Sequence, residues 1–110
     1  MAKESIDLLQ GTLDMLILQA LAQGSTHGYG VMRWIRATSG EDLRIQEGAL
    51  YPALHRLEER GLVGAEWGLS ENNRRAKFYA LTAAGKRRLA TATATWSRYV
   101  EAVARILQET

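Results

Sequence analysis

From Thr82 onward the sequence reads as one long helix whose apolar residues outrun what a domain of 110 residues can cover. Leu89, Trp96 and Val103 recur at seven-residue steps, Ala92, Tyr99 and Ile106 each follow three residues later, and Val100 and Leu107 widen the seam. Such spacing marks a helix that pairs with another along one side. A small domain has too little interior for that stripe, so a second copy of the chain is expected to cover it. Leu89, Trp96, Val103 and Ile106 are the expected dimer contacts. The stretch GTLDMLILQALAQG points the same way. Leu13, Leu16, Ile17, Ala20 and Leu21 form one helical stripe, while Met15, Leu18 and Ala22 form another on the opposite side. A helix with two apolar faces is buried twice, which adds Leu18 to the dimer contacts. Thr12 suits its start and Gly24 its stop.

Between these two helices the punctuation is dense. A second helix is expected within STHGYGVMRWIRATSG, with Gly28 and Gly30 marking a close approach near its beginning. EDLRI reads as a short extended stretch. In EGALYPALHRLEERGLV, Leu50, Ala53, Leu54 and Leu57 make one apolar stripe, and Gly61 offers a left-handed stop with Leu62 folding back. Pro52 is tolerated where helix amides have no intrahelical partner, which sets the expected start near residues 48 to 50 and places Pro52 in the first turn. Gly48 there lets the backbone come close to a neighbour. LVGAEW and AKFYAL read as two strands joined by the turn-rich GLSENNRR.

Composition excludes more than it assigns. A hydrophobic share of 46% with 24% charged residues argues for a folded chain and against disorder. With no cysteine there is neither a disulfide framework nor a thiolate metal site. No apolar run reaches the ~20 residues of a membrane span, and the charged start MAKESID lacks a signal-peptide core; a cytoplasmic protein without membrane attachment is expected. His27 and His55 stand far apart, the carboxylates are scattered, and no glycine-rich phosphate loop follows a strand. No catalytic residue, metal ligand or cofactor is therefore expected.

Charge is unevenly spread. From Asn72 to Val100 there are seven basic residues (Arg74, Arg75, Lys77, Lys86, Arg87, Arg88 and Arg98) and no acidic one. Single-sign runs are usually solvated faces, but this one suits a polyanion. Helix, helix, short strand, helix and basic-tipped hairpin is the order of a winged helix-turn-helix. The fold class is thus mainly α with a small β-hairpin: residues 1–81 form the winged unit and 82–110 a C-terminal dimerisation helix. Such a fold meets double-stranded DNA with its third helix in the major groove and its hairpin on the adjacent backbone. The third helix offers Gln46, Gly48, Tyr51, Pro52, His55 and Arg56, although Arg56 has Glu58 and Glu59 within pairing reach and Glu47 suits helix-end stabilisation. The hairpin offers Asn72, Asn73, Arg74, Arg75 and Lys77. A central Trp96 in a two-fold seam, with Met15, Ala92 and Tyr99, leaves room for a flat aromatic effector, or is simply packing. Two other classes stay open: a winged helix that binds protein, and a ligand-binding dimer with little specific DNA affinity.

LLQGTLDMLILQAL, HGYGVMRWI, EGALYPALHRLEERGLV, RRAKFYALTAAGKRRL and the late Trp96 together resemble the PadR family of bacterial transcriptional regulators, over roughly residues 8 to 107. The resemblance implies a homodimeric repressor of palindromic operators, of the short type, with its last helix making the dimer against the first. It adds Tyr29 as a phosphate contact and planar effectors as the guests of the seam. One departure is Ala49, where the family often has Ser or Thr before the Leu-Tyr pair; a hydroxyl that would cap the helix or touch phosphate is absent.

Overall fold

The stripes close over one another in the computed structural model, which describes residue 8 and residues 11–108. In chain order the described elements are α1 (Leu13–Ala22), β1 (Thr26–His27), α2 (Gly28–Thr38), α3 (Glu47–Glu59), β2 (Val63–Leu69), β3 (Arg75–Leu81) and α4 (Ala83–Gln108). Ile17 and Leu18 of α1, Val31 and Ile35 of α2, and Leu50, Ala53, Leu54 and Leu57 of α3 form the core, closed by Val63 and Tyr79 of the sheet. Each such Val, Leu or Ile side chain stabilises the fold by about 1.5–3 kcal/mol relative to exposure.

The first stripe of α1 enters the core as expected, with Leu13 and Leu16 packed against Ile17, Ala20 and Leu21, whereas the second is used differently. Leu18 is 2% exposed and belongs to the core of its own protomer, so it has no surface left for a partner chain. The helix is wedged among α2, α3, α4 and β3; of the second stripe, Met15 and Leu18 line hollows shared with Arg88 and Ala92 of α4, while Ala22 is exposed.

The sheet has the order β1-β3-β2 and is antiparallel throughout. Its third strand is not EDLRI. That stretch forms no strand; it leaves α2 with Glu41 at φ +71 and drops Ile45 into the core. The strand is Thr26–His27, paired with Tyr79 and Phe78, too short for alternation to reveal. The hairpin between β2 and β3 closes with Ser70 N donating to the Arg74 carbonyl at 2.8 Å, Asn73 N donating to the Ser70 carbonyl at 2.9 Å, and Asn73 at φ +58. A tight turn followed by a left-handed residue is a common three-residue hairpin loop, and Asn tolerates that conformation.

The third helix starts earlier than expected. Gln46 is its N-cap, and its carbonyl accepts from the amides of Ala49 and Leu50, both at 3.0 Å. Pro52 therefore lies in the second turn, not the first, where it deprives the Gly48 carbonyl of its usual donor. Both residues are exposed, so water can take that role. The other end stops where the sequence places it: Gly61 at φ +73 donates to Glu58 and Leu62 donates to Leu57, at 3.0 and 2.9 Å. This stop is knitted to the start of α4. The Thr82 hydroxyl donates to the Gly61 carbonyl at 2.7 Å and accepts from the Gly85 amide at 3.0 Å. Gly85 packs so closely on the Leu62 carbonyl that a Cβ would collide with it.

Candidate nucleic-acid interface

Three elements converge on one surface: the first turn of α2, the amino-terminal half of α3, and the hairpin tip. His27 caps α2, its Nδ1 accepting from the Gly30 amide at 3.0 Å. The proton then sits on Nε2, 3.6 Å from the Glu71 carboxylate on the hairpin. The same imidazole lies against Tyr29 at 6.4 Å and edge-on to Phe78 at 5.3 Å between ring centres. Tyr51 comes across from α3 and lies over Gly28, so close that a Cβ there would stand 2.7 Å from its ring. This is why the sequence has glycine at the start of α2. The hollow between them, about 230 Å³, is lined by His27, Tyr29, Tyr51, Ser70, Glu71, Asn72 and Ala76.

Several of the expected DNA contacts are brought together here. Tyr29 and Tyr51 are 54% and 45% exposed and flank the hollow. Gln46, Gly48 and Ala49 are exposed, and nothing among the described residues comes within 4 Å of a Cβ built on Gly48. Asn73 and Arg74 hold the exposed hairpin tip. Arg75 stacks its guanidinium over Trp67 at 4.7 Å.

Other expected contacts are committed elsewhere. Arg56 reaches Asp14 of α1 at 3.1 Å rather than Glu58 or Glu59. Lys77 bonds Glu58 of α3 at 3.0 Å, which pushes its pKa up from the usual lysine value. His55 is exposed on α3 and faces Glu59 at 3.3 Å. Among the described residues the hairpin and α1 are each fastened to α3 by one ion pair, and Arg74 and Arg75 are left as outward cations of the wing.

His27, Glu71, Arg33 and Trp67 are parts of this surface that sequence reasoning missed. Arg33 lies over Tyr29 at 5.5 Å, four residues on along α2. That spacing was legible. His27 was not, because histidine is an uncommon cap. Glu71 is held below the ordinary carboxylate range, first by a hydrogen bond from its own backbone and then by His27.

A second groove runs between the start of α1 and α4. It encloses about 740 Å³ and is lined by Met15, Ala92, Trp96 and Tyr99, the four residues expected to hold an effector, together with Gly11, Thr12, Arg88, Thr91 and Thr95. Trp96 and Tyr99 are 6.1 Å apart between ring centres. Of the expected dimer contacts, Leu89 packs on the core of its own chain and Trp96 and Val103 are partly covered, whereas Ile106 is 70% exposed.

Helix, strand, helix, helix and hairpin with this register define a winged helix-turn-helix, the fold of DNA-binding regulators. Residues 17–91 match the family model described as "Transcriptional regulator PadR-like family". The chain belongs to that family and is a transcriptional regulator rather than an enzyme. A transcriptional regulator from Clostridium thermocellum superposes with a TM-score of 0.82 at 27% identity, over 90% of this chain and 96% of that one. A PadR family regulator from Eggerthella lenta gives 0.77 at 32% identity, over 92% and 86%. By sequence, a Lysinibacillus sphaericus protein is 27% identical over 88% of this chain and 89% of its own length. Among the described residues, no helix is long and apolar enough to cross a membrane.

Proposed function

We propose that the chain acts as a homodimeric repressor of an inverted-repeat operator, released by a planar aromatic effector held beside Trp96. The observation that carries the DNA half is the open amino-terminal face of α3. Gln46, Gly48, Ala49 and Tyr51 face outward, beside a hairpin whose Arg74 and Arg75 have no acidic partner among the described residues. Side chains on a helix start read base edges, while arginines on a wing fix register through phosphates. In this reading Tyr29 and Tyr51 also touch the backbone, and Gly48 lets the groove wall come close. In this reading the winged unit is residues 1–81 and the dimer helix 82–110, of which 1–7, 9, 10, 109 and 110 lie outside the described residues, with Trp96, Val103 and Ile106 in the seam. Repression is the sign the family resemblance implies.

The effector half rests on the groove of α1 and α4. A guest acts as inducer only if it prefers the dimer geometry that fits DNA poorly. Selection from a random duplex library with purified protein is expected to return an inverted repeat. With that duplex, Arg74→Ala together with Arg75→Ala should flatten the log–log salt slope by about 0.9 for each phosphate the wing no longer neutralises. An asymmetric or absent consensus would refute the dimeric operator, and an unchanged slope would show that the wing does not touch the DNA backbone.

A further inference from the structure

The groove beside Trp96 has a second compartment of different chemistry. We propose that the guest is a planar aromatic carrying a phosphate monoester, with its ring beside Trp96 and its phosphoryl group between Arg60 and Arg88; this rests on the reading of the groove as an effector site.

A hollow of about 130 Å³ adjoins the groove and shares Gly11, Met15, Arg88 and Ala92 with it. It adds Arg60, the C-cap of α3, to Arg88 of α4. Asp14 also lines it, but that carboxylate is engaged by Arg56 at 3.1 Å. Among the described residues neither Arg60 nor Arg88 has an acidic partner. Arg88 is, moreover, the one charged side chain among the described residues lining the larger groove. A liquid water occupies about 30 Å³, so the hollow has room for a group of phosphate size.

The number of arginines selects the anion. One guanidinium satisfies a carboxylate through a bidentate pair. A phosphoryl group carries a charge of about −1.5 to −2 and three acceptor oxygens, which suits two. The spacing selects the ring. Arg88, Ala92 and Trp96 follow each other along one face of α4, and eight residues at 1.5 Å rise set the backbone positions of Arg88 and Trp96 about 12 Å apart along the helix axis. That length holds two or three fused rings and an ester. Ala92 between them leaves the floor flat.

The test compares 1-naphthyl phosphate, 1-naphthoate and 1-naphthol by calorimetry on the intact protein, with inorganic phosphate as a control. The phosphate ester should bind about tenfold more tightly than the alcohol, the size of one strong charge-assisted contact, and more tightly than the carboxylate. Arg60→Gln and Arg88→Gln should each remove most of that gain and leave naphthol unchanged, whereas Lys86→Gln should not. Trp96→Leu should weaken all three aromatics. Equal binding of ester and alcohol, or of ester and carboxylate, overturns the phosphate assignment while the aromatic groove stands. So does a gain that survives both arginine variants. If naphthol itself fails to bind, the groove reading and the phosphate assignment fall together.

Discussion

Two helices of this chain stand in opposite relations to the core. In α3, Leu50, Ala53, Leu54 and Leu57 are all buried. In the much longer α4, Gly85 alone is buried, and Tyr99, Val100, Ile106 and Leu107 lie open. Helix α3 is therefore held by its own chain, which fixes the shape it presents. The outer half of α4 is left with apolar surface that nothing among the described residues covers, which is the surface the proposed dimer would bury.

The contrast is broken most severely from inside. Leu54→Ala should cost about 2–5 kcal/mol, a large share of the ~5–15 kcal/mol that hold a domain together. Urea unfolding followed by circular dichroism should show the midpoint collapse with little change in slope. A loss below about 1 kcal/mol would mean that the α3 environment relaxes around the cavity and the core is looser than its burial implies.

Next in size is an attack on the other helix. Val103→Asp with Ile106→Asp should weaken the dimer by about 2 kcal/mol or more, roughly 30-fold, as for central interface residues. Sedimentation should show monomers, and amide protection across β2 and β3 should persist. If that protection vanishes too, the winged unit is not self-supporting and the comparison fails. A stable folded monomer of the unmodified chain would remove the dimer altogether.

A tenfold effect is expected where α2 meets α3. Gly28→Ala would place a methyl group 2.7 Å from the Tyr51 ring, well inside van der Waals range, so the ring must leave its seat. Operator affinity should fall about tenfold, the scale of one displaced polar contact, with a smaller change in unfolding free energy. In Tyr51→Ala the added methyl should cost no further affinity. A full loss in that background would assign Gly28 a direct role instead.

How much of this is legible in the sequence depends on the range of the interaction. The α3 stop at Gly61, the wing strands and, over the described residues, the α4 span follow from local periodicity and turn chemistry, and the structure reproduces them. The sequence expects room at a two-fold seam, whereas the groove that Met15, Ala92, Trp96 and Tyr99 line lies between α1 and α4 of one chain; only the shared helix face of Ala92, Trp96 and Tyr99 is legible. Sequence spacing puts Pro52 a turn too early because the true cap, Gln46, makes no side-chain capping bond and so leaves no mark in the sequence. It assigns Leu18 to a partner because an opposite stripe looks the same whether the covering helix comes from the same chain or another. The pairs Arg56–Asp14 and Lys77–Glu58 join residues far apart in sequence, and spacing rules reach only a helical turn.

The smallest effect tests how the wing is fastened to α2. Glu71 ionises below its ordinary value of 4.5, chiefly through its own backbone hydrogen bond and then through His27, with Arg33 contributing less. A folded-state value below the ordinary one means that the folded hairpin, through that backbone hydrogen bond and then through His27, favours the charged form. That contribution is in force above the usual value and is lost as pH falls through the lowered one. Because the carboxylate is solvent-exposed, the effect is local and screened by salt, so global stability should barely register it. Backbone amide shifts of Asn72 and Asn73 should instead titrate below the normal glutamate range, and Glu71→Gln should abolish that titration while leaving the shifts of α4 unmoved. Since Glu71 also places a negative charge on the surface proposed to meet phosphate, the same substitution should tighten non-specific DNA by up to several-fold at low salt and by less at high salt. If Glu71→Gln weakens binding instead, holding the wing in place outweighs the repulsion, and the tip must then be pre-positioned by α2 before it can touch DNA.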